Sequence, residues 1–166
     1  MLIYHGSDLI VDKPEIIKSN RLLDFGMGFY TTSNKEQASR WAEKVSTRNN
    51  TNRKILSVYQ FDLENAKKEL KIIEFNSADE KWLQFITNNR NGKSVEEKYD
   101  IVLGPVADDN VYLTVKLFET GVLGIEEALL RLKVTKLFDQ IHFHTYKSLK
   151  FCRYDHYEDI GEDVNG

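Results

Sequence analysis

The chain has little of what secreted and membrane proteins use for stability or anchoring. Its 166 residues include one cysteine and two prolines, and no apolar run approaches the ~18 residues that a membrane span needs. The single cysteine, Cys152, excludes an internal disulfide and suits a reducing compartment. The first residues also lack the basic start, apolar stretch and cleavage site of a signal peptide. We therefore expect a cytoplasmic protein that makes no contact with a membrane.

A strong charge of one sign is also missing. The chain carries 23 lysines and arginines against 26 aspartates and glutamates, a formal net charge of −3. No global field therefore draws it onto nucleic acid or an anionic membrane. A nucleic-acid substrate would need a local basic patch. The best candidate for such a patch is the segment 48–54. A polar, basic segment of this kind is more often an ordinary solvated surface loop.

What is present is the composition of an ordinary globular domain, 41% hydrophobic and 30% charged. We predict a single domain over residues 1–154 and an acidic, frayed tail over residues 155–166. The hydrophobic patterns predict strands over residues 2–5, 26–32, 55–63, 99–103 and 138–145, and helices over residues 77–89, 108–119, 125–132 and 146–151. Strands early and late, helices between them and no regular βαβ alternation predict an α+β fold.

One further helix is predicted from its N-terminal signal. Ser33 and Glu36 have the spacing of a capping box, with Ser33 at the N-cap. The residues that follow form an apolar stripe at helical spacing, namely Ala38, Trp41, Ala42 and Val45. The sequence therefore predicts a helix that begins after Ser33 and buries this stripe.

Two short segments place polar rings beside glycines at predicted strand ends. The first is Tyr4-His5-Gly6, and the second runs from Asp24 to Thr32 and contains Gly26, Gly28 and Tyr30. Glycine at such a position often marks a turn, a bulge or a close approach of a ligand to the backbone. Together the two segments indicate a pocket for a flat, polar small molecule.

The same segments resemble the ADP-ribosyltransferase superfamily. The likeness is closer to its histidine–tyrosine–glutamate branch, which includes diphtheria toxin and the poly-ADP-ribose polymerases, and within it to a group of small bacterial proteins. Matching residues continue along the chain as Gln37-Ala38, Trp41-Ala42, Trp82, Asn89-Arg90, the run 99–109 and the run 139–143. The resemblance covers nearly the whole chain and implies a split β-sheet core with flanking helices.

The resemblance assigns a cofactor site for NAD, used as a co-substrate. His5 takes the place of the histidine that hydrogen-bonds the ribose, and Tyr30 that of the tyrosine that stacks on nicotinamide. Gly6, Gly28 and Thr31 lie beside them at the cofactor. Each residue also has an ordinary structural interpretation without a ligand. His5 would be a half-buried histidine after a strand, and Tyr30 a tyrosine that packs in a core.

The third motif departs from the active pattern of the family. Gln140 stands where well-known transferases have a glutamate, and a neutral amide lacks the charge that stabilises a cationic transition state. Asp108 or Asp109 is a candidate for the missing carboxylate, although both also suit the first turn of the helix that follows. His142 shares a strand face with Gln140 and is a further catalytic candidate. No ligand set for a metal is recognisable.

Three functions compete at this stage. The first is an NAD-dependent mono-ADP-ribosyltransferase that modifies a protein or a nucleic acid. By family analogy it is a toxin of a toxin–antitoxin module or a phage-conflict effector, with an antitoxin protein as a partner. The second is a non-catalytic module that binds NAD or ADP-ribose, which the amide of Gln140 favours. The third is an NAD glycohydrolase, with water as the acceptor.

Overall fold

The computed structural model describes residues 1–17, 24–93, 99–106, 109–133 and 138–161. The strands are β1 (Leu2–Ser7), β2 (Phe29–Thr31), β3 (Ile55–Phe61), β4 (Ile72–Glu74), β5 (Ile101–Val106), β6 (Phe138–Phe143) and β7 (Cys152–Asp159). The helices are α1 (Lys35–Asn49), α2 (Leu63–Glu69), α3 (Glu80–Arg90), α4 (Asp109–Glu119), α5 (Ile125–Lys133) and α6 (Tyr146–Leu149). The predicted α+β class is confirmed. None of the helices within these ranges is long and apolar enough to cross a membrane.

The strands form two sheets that meet at one point. The first sheet has the order β1-β3-β7 and the second the order β2-β6-β5-β4, in which only β4 pairs in parallel. Their edge strands β1 and β2 are joined by a bridge between Tyr4 and Thr32, whose backbone bonds measure 2.8 and 3.0 Å. The two strands then diverge. We call the space between β1 and β2 beyond this bridge the split.

Two apolar layers cover the second sheet. One lies between the two sheets and includes Phe29, Tyr59, Phe61, Ile141 and Phe143. The other lies between the second sheet and helices α3, α4 and α5, and includes Phe25, Trp82, Val102, Val111 and Leu132. Alternate residues of β6 therefore face different layers, as the period of a strand requires.

Helix α1 begins one residue later than predicted. Its N-cap is Asn34 and not Ser33, and the Asn34 side chain accepts the backbone N–H of Gln37 at 2.9 Å. Asparagine and serine cap about equally well, so the spacing to Glu36 misled the prediction. The predicted stripe is also one residue too wide, because Trp41 is 53% exposed while Ala38 and Ala42 are buried.

The frayed tail predicted from Asp155 onward is wrong for residues 155–159. Strand β7 reaches Asp159 and pairs antiparallel with β3 along its whole length. Most of its side chains are exposed. Pairing with β3 therefore holds it together with a small apolar contact, that of Cys152 and Tyr154 with the layer between the sheets. Helix α2 and strand β4 were not predicted either, and both are short and largely exposed or half-buried.

Candidate functional site

His5 occupies the split where β1 and β2 separate. Its Nδ1 lies 2.7 Å from the carbonyl oxygen of Tyr30, and since a carbonyl only accepts, Nδ1 is the nitrogen that carries hydrogen. The imidazole thus takes the place of a ladder hydrogen bond between the diverging strands. Desolvation lowers the pKa of His5 despite this bond. The ring is therefore neutral near pH 7, and its Nε2 is a hydrogen-bond acceptor.

The backbone of Gly6 also points into the split. Tyr4 directs its N–H and C=O toward β2, and every second residue of a strand repeats that direction. Within the described part of the chain, β1 and β2 share only the bridge at Tyr4. Gly6 thus presents one donor and one acceptor side by side at the split.

The small size of Gly6 serves a different purpose from the one predicted. A Cβ at this position would lie 2.0 Å from the backbone oxygen of Ala38 and 2.8 Å from the backbone nitrogen of Ala42. Helix α1 therefore packs directly on Gly6. This corrects the expectation that a missing side chain here lets the dinucleotide approach, because the helix fills that space.

Tyr30 forms a fixed, half-buried ring on the helical face of β2. Its hydroxyl donates to the carbonyl of Gly26 at 2.5 Å, and its ring centroid lies 3.8 Å from that of His142. Burial raises the pKa of Tyr30, so the phenol stays protonated. One face of the ring is therefore supported by protein, and the ring is held in one orientation.

His142 is buried and ends a chain of hydrogen bonds that runs from the carbonyl of Phe25 through His144. His144 bonds the carbonyl of Phe25, and the rings of His142 and His144 are joined from Nδ1 to Nε2 at 2.7 Å. His144 donates its Nδ1–H to that carbonyl, so its Nε2 accepts from His142. The Nε2 of His142 then carries a lone pair, for which the described residues offer no partner.

This burial changes the role expected of His142. The side chain is 0% exposed, and desolvation lowers its pKa well below the usual range. A catalytic contact with a ligand, which the sequence predicted, is therefore closed to it in this structure. His142 instead backs the ring of Tyr30 as a positioning residue.

Gly28 and Thr31 both serve the pairing of β2 with β6. A Cβ on Gly28, whose φ is +153°, would lie 2.1 Å from the backbone oxygen of Phe143. The hydroxyl of Thr31 donates to the carbonyl of Ile141 at 2.8 Å, and the side chain is buried. Both residues therefore contribute to the pairing of the two strands, and their contact with a cofactor stays a prediction.

The turn that accepts the Tyr30 hydroxyl is anchored by the end of α3. The Asn89 amide donates to the carbonyl of Asp24 at 2.8 Å, and the Arg90 Nε donates to the Asp24 carboxylate at 2.6 Å. Sequence reasoning noted the Asn89-Arg90 pair only as part of the resemblance. Its position at the polar end of an apolar helix was the signal that it contacts another segment.

Gln140 lies apart from the split, in the wall of a cavity of about 760 Å³. It is 7% exposed, and we find no hydrogen-bond partner for its side chain among the described residues. The residues that line this cavity include neither His5 nor Tyr30. The structure therefore brings the first two motifs together and places the third in a neighbouring cavity, on the helical face that also carries Tyr30.

The carboxylate nearest to Gln140 in the chain is one that sequence reasoning missed. Asp139 lines the same cavity, and its Oδ2 accepts the backbone N–H of Ser33 at 3.2 Å. Of the predicted carboxylates, Asp108 lies outside the described residues, as does the side chain of Asp109, which begins α4. Those two roles remain predictions.

Comparison with known proteins identifies a family but no characterised relative. Residues 1–154 match the model of the family described as "Protein of unknown function (DUF3990)". No curated protein matches the chain significantly. No solved structure does so either.

Proposed function

We propose that this chain, which belongs to the DUF3990 family, is an NAD-dependent mono-ADP-ribosyltransferase built on a split sheet of the ADP-ribosyltransferase kind. One observation carries the proposal. His5 and Tyr30, which are 25 residues apart in sequence, meet at the point where two sheets separate, and the imidazole bonds the backbone of the tyrosine at 2.7 Å. The imidazole of His5 and the backbone of Tyr30 thus lie together at an open backbone edge, while the His5 ring packs against Phe29 with 4.7 Å between centroids and the Tyr30 ring lies on the helical face. The resemblance assigns these two residues to NAD.

The split offers complementary groups to the nicotinamide half of NAD. A carboxamide carries a donor and an acceptor, which match the adjacent C=O and N–H of Gly6. The ring of Tyr30 is held in place for stacking, worth roughly 0.5–1.5 kcal/mol beyond the area it buries. The Nε2 of His5 accepts a hydrogen bond from a ribose hydroxyl.

The proposed reaction exchanges one bond at the ribose C1′. The bond from C1′ to the nicotinamide nitrogen breaks, and its electron pair leaves with neutral nicotinamide. A nucleophile of the acceptor then bonds C1′ and loses one proton to solvent. Gln140 stands at the third motif in place of a glutamate, and a neutral amide supplies only a dipole to the cationic transition state. We therefore expect a slow enzyme.

Gln140 also favours the second candidate, a module that binds NAD or ADP-ribose without turnover. Incubation of the purified protein with NAD labelled in its adenylate half separates the possibilities. Free nicotinamide with label on a macromolecule indicates transfer, and free nicotinamide without such label indicates an NAD glycohydrolase. Saturable binding without nicotinamide release indicates the binding module and refutes catalysis.

The biological role follows from the same proposal. The resemblance to small bacterial members of the superfamily implies a toxin or a phage-conflict effector that an antitoxin protein inhibits. Induced expression in a bacterial host tests this role. Growth arrest that disappears in the His5→Ala variant supports it, and normal growth with both proteins contradicts it.

A further inference from the structure

We propose that the cavity beside Gln140 binds a cationic side chain of a partner protein and is the acceptor subsite of the enzyme. This inference rests on the proposed function for its role in transfer, but the binding itself is independent of turnover. The acceptor would then be a protein with an exposed arginine or lysine, and not a nucleic acid.

The charges around the cavity favour a cation. Among the described residues its lining includes four carboxylates, those of Glu74, Asp79, Glu80 and Asp139. Two ammonium groups oppose them, that of Lys133 and the N-terminal one of Met1, which donates to the carbonyl of Phe61 at 2.9 Å. Glu74 is also paired at 3.1 Å with Lys67, a pair that is about half exposed. The remaining excess of negative charge attracts an ammonium or guanidinium and repels the phosphates of a nucleic acid.

The walls of the cavity suit the aliphatic part of such a side chain. Apolar residues from the second sheet and from α5 line it, among them Phe75, Leu129, Leu132 and Ile141. Lysine and arginine bury their methylene stems on apolar surface while the charged head stays among polar groups. The volume of about 760 Å³ lies within the range of ligand pockets, roughly 300–1,000 Å³. It therefore accommodates the side chain together with its immediate neighbours.

Gln140 supplies an observation that is independent of the charge. Gln140 lines the cavity, and its side-chain amide is not among the fully buried polar atoms that lack a partner in the described residues. Gln140 is 7% exposed, and the described residues give its side chain no partner. Its oxygen is thus an acceptor in the cavity wall, suited to the N–H groups of a cationic head. A bound cation would then lie beside the residue that occupies the third motif.

The test uses charge-neutralised variants of the full chain. Asp79→Asn combined with Glu80→Gln removes two charges and keeps both local hydrogen bonds, since asparagine caps a helix as well as aspartate does. Glu36→Gln is the matched control, because Glu36 is an exposed glutamate in the first turn of α1 and pairs with Arg40. The probes are a short capped peptide with a central arginine, matched peptides with glutamine or glutamate in its place, and a short single-stranded oligonucleotide.

Calorimetry without NAD measures binding of each probe. We expect the arginine peptide to bind, the two matched peptides not to bind, and the double variant to weaken binding by up to about tenfold. The Glu36→Gln control should bind like the wild type. Equal affinity for the arginine and glutamate peptides, no effect of the double variant, or tighter binding of the oligonucleotide would each overturn the proposal.

Nicotinamide release, measured separately on the same samples, tests the proposed function. If the arginine peptide binds but no nicotinamide is released, the proposed cation-binding cavity is supported and the proposed transferase activity is refuted. Release with label transferred to the oligonucleotide instead of the arginine peptide supports a transferase and refutes this acceptor.

Discussion

Two neighbouring histidines, the buried His142 of β6 and the half-buried His144 just after it, make the stability of this protein depend on pH. The pKa of His144 falls to about 4 through desolvation by burial, and that of His142 lies well below its usual value for the same reason and because His144 is its neighbour. Both rings are therefore neutral in the folded protein at pH values where an exposed histidine is already protonated.

The sign and size of the effect follow from proton binding. Below about pH 6.5 the unfolded chain binds protons on these rings, whereas His144 in the folded chain binds one only near pH 4. The free energy of unfolding therefore falls as the pH decreases through this window, by up to about 1.4 kcal/mol per pH unit and histidine. For His144 alone the total loss approaches about 3 kcal/mol, a large part of the typical 5–15 kcal/mol.

Urea unfolding followed by circular dichroism at pH values from about 7.5 to 4.5 measures this dependence. We expect the His144→Gln variant to show a shallower decline below about pH 6.5, because one titrating group has been removed. His156→Gln is the matched control, since His156 is an exposed histidine whose pKa is raised by Asp155. A stability that stays constant down to about pH 4.5, or an equally steep decline in His144→Gln, would refute the desolvated, neutral state assigned to these rings.

Three further substitutions test the site and its support. Gly6→Ala should lower the free energy of unfolding by about 2 kcal/mol or more, because the new methyl group meets the backbone oxygen of Ala38. Gly124→Ala, with nothing within 4 Å, should change it little, and equal effects in urea unfolding would contradict the packing of α1. Tyr30→Phe should cost roughly 1 kcal/mol of stability for the lost hydroxyl bond and preserve NAD affinity, so a large loss of affinity by calorimetry would argue against stacking. Gln140→Glu should speed nicotinamide release by about two to three orders of magnitude, and a slower variant would show that the amide is suited to this chemistry.

Sequence periodicity predicted the elements that bury an apolar face. Strand β6 shows both the strength and the limit of this signal. The alternation of Gln140 and His142 against Ile141 was enough to place them on opposite faces, and the structure confirms it. Alternation does not show what covers a face, however. That the ring of His142 packs against Phe25, Tyr30 and His144 depends on tertiary packing.

Elements whose side chains are mostly exposed or half-buried were missed. Strand β7 carries mostly charged and exposed side chains after Cys152, so its pattern resembles a solvated tail. Its partner β3 lies far away in sequence and is buried on both faces. His5 and Tyr30 are also distant in sequence, so only the resemblance predicted that they lie close together. Their hydrogen bond is visible only in the geometry of the two sheets.

NAD affinity of the His5→Ala variant, measured by isothermal titration calorimetry beside the wild type, tests the account most directly. We expect saturable binding by the wild type, a loss of about tenfold or more in the variant, and wild-type affinity in a His156→Ala control. Equal affinity of His5→Ala and wild type, or no NAD binding by the wild type, would contradict the assignment of the split as the NAD site.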